Sequence, residues 1–209
     1  MTARPEDTAV TSLSPFVVAV EMMLLPLWVG VVYVRPATSV AARAARTPAI
    51  VVLVTAALVP LAAVADEASV IGVFRSQAVA VGWVVLLAGM AAMLDRLAGP
   101  RPAQMLTALL GWLVIGAMIL AGPVAEMVDE PAKTVVVRTI VHANPLLVAE
   151  RELGLGWLHQ ALTYRWTPLG ESYDYLLGRL AWWKTLMAHV FVGSALLVFS
   201  VRRHRAPQP

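Results

Sequence analysis

Stretches of about twenty apolar residues recur along this chain, and they restrict its fold more than any other feature. A bilayer core of about 30 Å is crossed by roughly 20 residues of α-helix, because lipid leaves the backbone no other hydrogen-bond partners. Five segments of the 209 residues meet this requirement, at 13–34, 48–65, 77–94, 104–122 and 182–201. The sequence therefore predicts an all-α integral membrane protein, with five transmembrane helices in a single membrane domain over residues 1–209.

The overall composition supports this class and excludes several others. Apolar residues make up 59% of the chain and charged residues only 14%, against roughly 25% charged residues in soluble domains. So few charges argue against disorder and against nucleic-acid binding. Cysteine is absent, which excludes disulfides and cysteine metal sites. The expected partners are the lipid bilayer and other membrane subunits.

Basic residues are distributed unevenly among the segments that join the spans. Eight lie in the three short segments 35–47, 95–103 and 202–209, whereas the alternate short segments hold two, Arg4 and Arg75. By the positive-inside rule, the N-terminus is outside and the C-terminus is in the cytoplasm. The dominance of arginine in a chain rich in alanine and valine points to a bacterial inner membrane.

The long outer loop, residues 123–181, carries signals for short helices before the last span. Asn144 and Pro145 are suited to the N-cap and first position of a helix that Gly154 would end. A second piece follows Gly156, with its apolar residues on one face. We expect both pieces to be interfacial or re-entrant, on the outer leaflet or on a partner chain. The residues assigned to this interfacial loop are Asn144, Pro145, Trp157, His159, Tyr164 and Trp166.

Two ionisable side chains, Glu21 and His189, lie within the predicted spans at similar depth below the outer end. A hydrogen bond between them, fixing the packing of two helices, is one interpretation. A proton relay is another. A third is ligation by His189 of a haem or chlorophyll held by a neighbouring subunit. No cofactor or metal site formed by this chain alone is predicted.

Small residues mark one face of the third span and one position of the fifth. Ala78, Gly82 and Gly89 share a helix face, and Gly193 lies four residues after His189. Small residues at such spacing let two helix backbones approach closely. This close packing could lie within the chain or against another subunit.

No catalytic motif stands out in the sequence. The acidic residues Glu150, Glu152, Glu171 and Asp174 of the outer loop could serve an enzyme with lipid substrates, but a solvated loop face is the simpler interpretation. We therefore expect a non-catalytic, accessory subunit that packs into a larger bacterial membrane complex.

The order of segments resembles that of a known transporter family. A basic cytoplasmic loop, a long outer loop with short helices, a final span and a basic tail are similar to the last five spans of permeases in the ABC-2 exporter family. The resemblance covers most of the chain as topology, and its local motif is Asn144-Pro145-Leu146. It implies a membrane-spanning permease subunit that works with an ATPase.

Overall fold

The computed structural model describes residues 13–34, 69–153 and 181–202, together with single positions at 42, 46, 48, 49 and 64. The elements of these ranges are α-helices, without any strand, and the all-α prediction is confirmed. In chain order they are α1 (Leu13–Val34), α2 (Val70–Ala98), α3 (Pro100–Glu126), α4 (Glu130–Ala143), α5 (Pro145–Glu152) and α6 (Trp182–Arg202).

Three of these helices are long and apolar enough to cross a membrane, namely Phe16–Tyr33 within α1, Val70–Ala98 and Trp182–Ser200 within α6. They coincide with the predicted spans 13–34, 77–94 and 182–201. The helix α2 begins at Val70, before the predicted start at residue 77, and Arg75 within its first turns pairs with Glu152. The predicted span 104–122 is helical within α3, and 48–65 lies almost wholly outside the described residues.

Contacts between the long helices give their relative directions. Gln77 bonds Glu21 near the beginning of both helices and Tyr33 bonds Asp95 near the end of both, so α1 and α2 are parallel. Trp112 of α3 donates to the carbonyl of Met23, while a Cβ at Gly30 would meet Gln104, so α3 is antiparallel to α1. The helix α6 runs parallel to α2, from a contact at Gly82 to one at Arg96.

The reversal between α2 and α3 occurs at a single glycine. Gly99 has a φ of 88°, a left-handed conformation that a side chain disfavours. Its N–H bonds the carbonyl of Asp95, and Pro100 begins the next helix. This tight turn places α3 directly against α2.

The helix α2 lies at the centre of the packing. Its buried face, including Val79, Trp83 and Leu87, contacts a buried stripe of α1 that includes Met22 and Leu25. In a bilayer such contacts stabilise the fold through van der Waals packing, because lipid tails are as apolar as the side chains themselves. Apolar residues of α5 complete this cluster, which is how the short helix is drawn into the bundle.

Glycines bring α2 and α6 into backbone contact within the chain. A Cβ at Gly82 would lie 2.9 Å from the side chain of Leu186, and one at Gly193 would lie 2.6 Å from the carbonyl oxygen of Val85. A Cβ at Gly89 would overlap the carbonyl oxygen of Gly193. The three glycines singled out in the sequence thus serve intramolecular packing, and Ala78 is half-buried on the same helix.

Candidate functional site

The helices α4 and α5 form a hairpin that enters the bundle and leaves it again. Only Asn144 separates them. It contacts Ile115, which lies eleven residues before the end of α3, or about 16 Å of helix rise. From there α5 returns to the start of α2, where Arg75 Nη1 donates to Glu152 Oε2 at 3.2 Å. The tip of the hairpin is therefore well inside the bundle.

The side chain of Asn144 holds this tip in place. Its Oδ1 accepts hydrogen bonds from the backbone N–H groups of Leu146 at 3.0 Å and Leu147 at 3.4 Å. Its Nδ2 donates to the carbonyl of Ile115 at 2.8 Å. One fully buried amide thus caps α5 and fastens the hairpin to α3. The N-cap role expected of Asn144, with Pro145 at the first helical position, is what the structure shows.

Side chains of α6 satisfy the carbonyl groups at the end of α4. A helix ends with carbonyls that have no partner in the helix itself. Thr185 Oγ1 donates to the carbonyl of His142 at 2.9 Å, and His189 Nε2 lies 3.1 Å from that of Ala143. A carbonyl can only accept, so Nε2 of His189 carries the proton. The hairpin is thereby fastened to α6 as well as to α3.

His189 therefore has a structural role, since its Nε2 bonds the end of α4. Its ring packs against Trp83, with the two ring centroids 5.4 Å apart. The other ring nitrogen, Nδ1, is buried and has no hydrogen-bond partner among the described residues. Ligation of a haem or chlorophyll by His189 would have to use Nδ1, or break the bond to Ala143. Within the described ranges, no three His, Asp or Glu side chains come together as metal ligands.

The structure does not join Glu21 to His189. Glu21 is buried and its Oε2 accepts from Gln77 Nε2 at 3.1 Å, whereas His189 bonds Ala143. Gln77 and Trp83, the α2 residues beside the two groups, are six positions apart, which is about 9 Å of helix rise. The two side chains therefore bond different partners, and the short helix α5 contacts α1, α2 and α6.

Glu150 departs most from its sequence-based interpretation. As part of a solvated loop face it would be exposed, yet it is 1% exposed and Oε1 has no hydrogen-bond partner. Burial raises the pKa of its carboxyl from the ordinary 4.5 to about 8. Glu152 pairs with Arg75, and its own side chain is only 12% exposed. Glu171 and Asp174 lie outside the described residues.

Asn144 and Pro145, assigned from the sequence to the interfacial loop, are both buried within the bundle. Of the two alternatives considered for this segment, the re-entrant one fits its contacts. The short helix has no free polar face, since residues 145–150 are all buried. The other residues assigned to the loop, Trp157, His159, Tyr164 and Trp166, lie outside the described residues.

A cavity of about 750 Å³ opens beside the hairpin. Its walls come from α2, α3, α4 and α6, and its size is in the range of small-molecule sites, roughly 300 to 1,000 Å³. Two cations line it, Arg138 of α4 and Lys184 of α6, together with His142, His189 and several apolar side chains. The two cations beside apolar side chains make this cavity a candidate binding site.

Sequence reasoning missed Arg138, His142, Lys184 and Thr185 as members of one site. The helix α4 was not anticipated, although Pro131 early in the segment and the apolar run 135–137 are signals for it. Comparison with known protein families, with characterised proteins and with solved structures finds no match to this chain.

Proposed function

We propose that the chain is a five-span protein of the bacterial inner membrane, with its N-terminus outside and its C-terminus in the cytoplasm. The helix directions support this arrangement. Because α1 and α2 are parallel, the chain has to return across the bundle between them, and the apolar segment 48–65 is placed to do so. Because α3 runs opposite to α1 and α2, and α6 runs parallel to α2, α3 ends and α6 begins at the same end of the bundle, which we propose is the outer one.

Single-cysteine labelling tests this topology, and the natural absence of cysteine makes the background clean. Cysteines placed at Val40 and His204 should resist a membrane-impermeant maleimide added to intact spheroplasts and should react after the membrane is opened. A cysteine at Met127, at the outer end of α3, is the matched control and should react from outside. Ready labelling of the first two positions in intact cells would overturn the proposed orientation.

We propose further that the chain is a non-catalytic subunit of a larger membrane complex. The observation that carries this proposal is that the buried polar side chains bond other parts of the same fold. Asn144 donates to the carbonyl of Ile115 in α3, and Thr185 and His189 donate to carbonyls at the end of α4. Glu21 accepts from Gln77. Groups committed to holding the fold are poorly placed to act on a substrate, so we assign the chemistry of the complex to other subunits.

A second candidate, the permease of an ABC-2-like exporter, is favoured by the hairpin itself. The sequence resemblance rests on short helices opened by Asn144-Pro145-Leu146 just before the last span. The first of these helices is α5, which follows Asn144 and forms a hairpin with the unpredicted α4 between α3 and α6, whereas the second, after Gly156, lies outside the described residues. Non-helical backbone at membrane depth is tolerated where protein or a cavity surrounds it, which is the situation of Asn144.

Copurification from the native membrane in a mild detergent discriminates between these proposals. Other membrane subunits in fixed ratio would support the accessory role, and an ATPase in fixed ratio would support the exporter. Another tagged multi-pass protein of the same membrane, purified in parallel, identifies non-specific companions. A lone chain that turns over a lipid substrate would contradict both proposals.

A further inference from the structure

The cavity beside the hairpin has its charges at one end. On α6, Lys184, Ala188 and Val192 follow each other at intervals of four residues, so they lie on one helix face. Lys184 is in the first turn of α6, and Val192 is eight residues deeper, or about 12 Å along the helix. Along this wall the lining changes from a cation to apolar side chains.

The other walls repeat this arrangement. Arg138 lies six residues before the hairpin tip, in the direction of the start of α4. Leu86 and Val114 supply apolar surface from α2 and α3. Trp183, next to Lys184, is 52% exposed and its ring lies 5.6 Å from Lys184 Nζ. A tryptophan and a lysine at the start of a span are typical of the headgroup level of a bilayer.

The two cations are available to a ligand. No salt bridge of Arg138 or Lys184 occurs within the described ranges, and both side chains are exposed. The hydroxyls of the lining are already used, since Thr139 donates to the carbonyl of Val135 and Thr185 to that of His142. An acidic group entering the cavity would therefore be held by the guanidinium and the ammonium.

We propose that this cavity binds one anionic phospholipid from the surrounding leaflet. The phosphate headgroup contacts Arg138 and Lys184, and one acyl chain follows Ala188 and Val192 inward. Ala143, Ala188 and Val192 are exposed on the flank of the bundle, so a lipid can enter sideways without displacing a helix. Assignment to the outer leaflet rests on the proposed topology, whereas the binding itself does not.

Binding can be measured on the full-length chain, purified in detergent and freed of lipid, by native mass spectrometry. Dioleoyl phosphatidylglycerol should bind about tenfold more tightly than dioleoyl phosphatidylcholine, which has the same chains and no net charge. Inorganic phosphate alone should bind much more weakly than the anionic lipid. Equal affinity for the two lipids would overturn the proposal, and so would phosphate binding as tight as that of phosphatidylglycerol.

Charge variants locate the headgroup. The double substitution Arg138→Gln with Lys184→Gln should remove the preference for phosphatidylglycerol. Arg101→Gln, which removes one positive charge at the opposite end of the bundle, should keep it. All three side chains are exposed, so we expect these variants to fold. A double variant that retains the wild-type preference would overturn the assignment.

Substitutions that fill the cavity locate the acyl chain of the lipid. Ala188→Trp should reduce phosphatidylglycerol binding at least tenfold by filling the cavity, and Ala195→Trp, exposed on α6 outside the lining, should not. If Ala188→Trp does not yield folded protein, Val192→Gln serves in its place, since it puts an amide in the path of the chain. Undiminished binding to the folded variant would overturn the proposal. These measurements need neither a partner nor an orientation, so their failure is distinguishable from that of the proposed function.

Discussion

Replacing Glu150 by Gln should remove most of the pH dependence of thermal stability between pH 5 and pH 8. The Glu150 carboxyl is buried in α5 and its pKa is raised to about 8 by loss of water contact. In the unfolded chain the same group ionises at about 4.5. Over this pH interval the folded protein holds a proton that the unfolded protein has released.

The sign of the effect follows from this difference. A carboxyl with a raised pKa in the folded state makes the protein most stable below the unfolded pKa, and stability falls as the pH rises towards the folded pKa. The two pKa values correspond to a total loss of about 4 to 5 kcal/mol, of which relaxation of the buried site would recover part. Glu150→Gln should therefore match the wild type near pH 5 and exceed its melting temperature at pH 8.

Glu152→Gln is the matched control for this experiment, since it removes a carboxyl two residues away on the same helix. The side chains of Arg75 and Glu152 are 44% and 12% exposed, so the control loses one partly buried ion pair, which is on the order of 1 kcal/mol or more. Thermal unfolding in one detergent at pH 5, 6, 7 and 8 provides the comparison. A wild-type melting temperature that does not fall between pH 5 and pH 8 would contradict the buried, neutral state of Glu150.

Features set by short-range patterns were predictable from the sequence. The long apolar runs located α1, α2 and α6, because helix length in a membrane depends only on bilayer thickness. The Asn144-Pro145 pair located the start of α5, because capping is a local interaction. The spacing of Gly82 and Gly89 identified the face that packs against α6. Each of these predictions needed no knowledge of which helices are neighbours.

Predicting the depth of the hairpin in the bundle requires knowing which helices are neighbours. A short helix with charges in its sequence is normally placed at an interface, but α5 is covered by α1, α2 and α6 on its different sides. The position of the hairpin is fixed by three bonds that Asn144 and the last two residues of α4 make with Ile115, Thr185 and His189. These contacts join positions 29 to 46 residues apart, and no periodicity in the segment encodes them.

Missing knowledge of neighbouring helices also explains why the predicted bond between Glu21 and His189 does not form. Counting residues from the span ends gave their approximate depth, but a hydrogen bond also depends on what lies between the helices. The carbonyls at the end of α4 are the nearer partners for the histidine, and Gln77 is the partner of the glutamate. The hairpin thus provides the acceptor that the sequence-based pairing assigned to Glu21.

The close contact between α2 and α6 at Gly89 makes the stability of the protein sensitive to any side chain added there. Gly89→Ala should destabilise the protein by about 1 to 3 kcal/mol, because the added Cβ overlaps the carbonyl oxygen of Gly193. The added Cβ and the carbonyl oxygen are both fixed by helix backbones, so the overlap is removed only if the two helices move apart. That separation would also disturb the anchoring of the hairpin, since Thr185 and His189 lie on α6.

Gly116→Ala in α3 supplies the opposite expectation for the same chemical change. No atom lies within 4 Å of a Cβ built at Gly116, and alanine is favoured over glycine inside a helix by about 1 kcal/mol. Gly116→Ala should therefore leave the melting temperature unchanged or raise it, while Gly89→Ala lowers it. The difference in sign separates close backbone contact from helix propensity, because propensity alone would stabilise both variants. If Gly89→Ala proved as stable as Gly116→Ala, α2 and α6 could not be in backbone contact, and α6 could not hold the hairpin through Thr185 and His189.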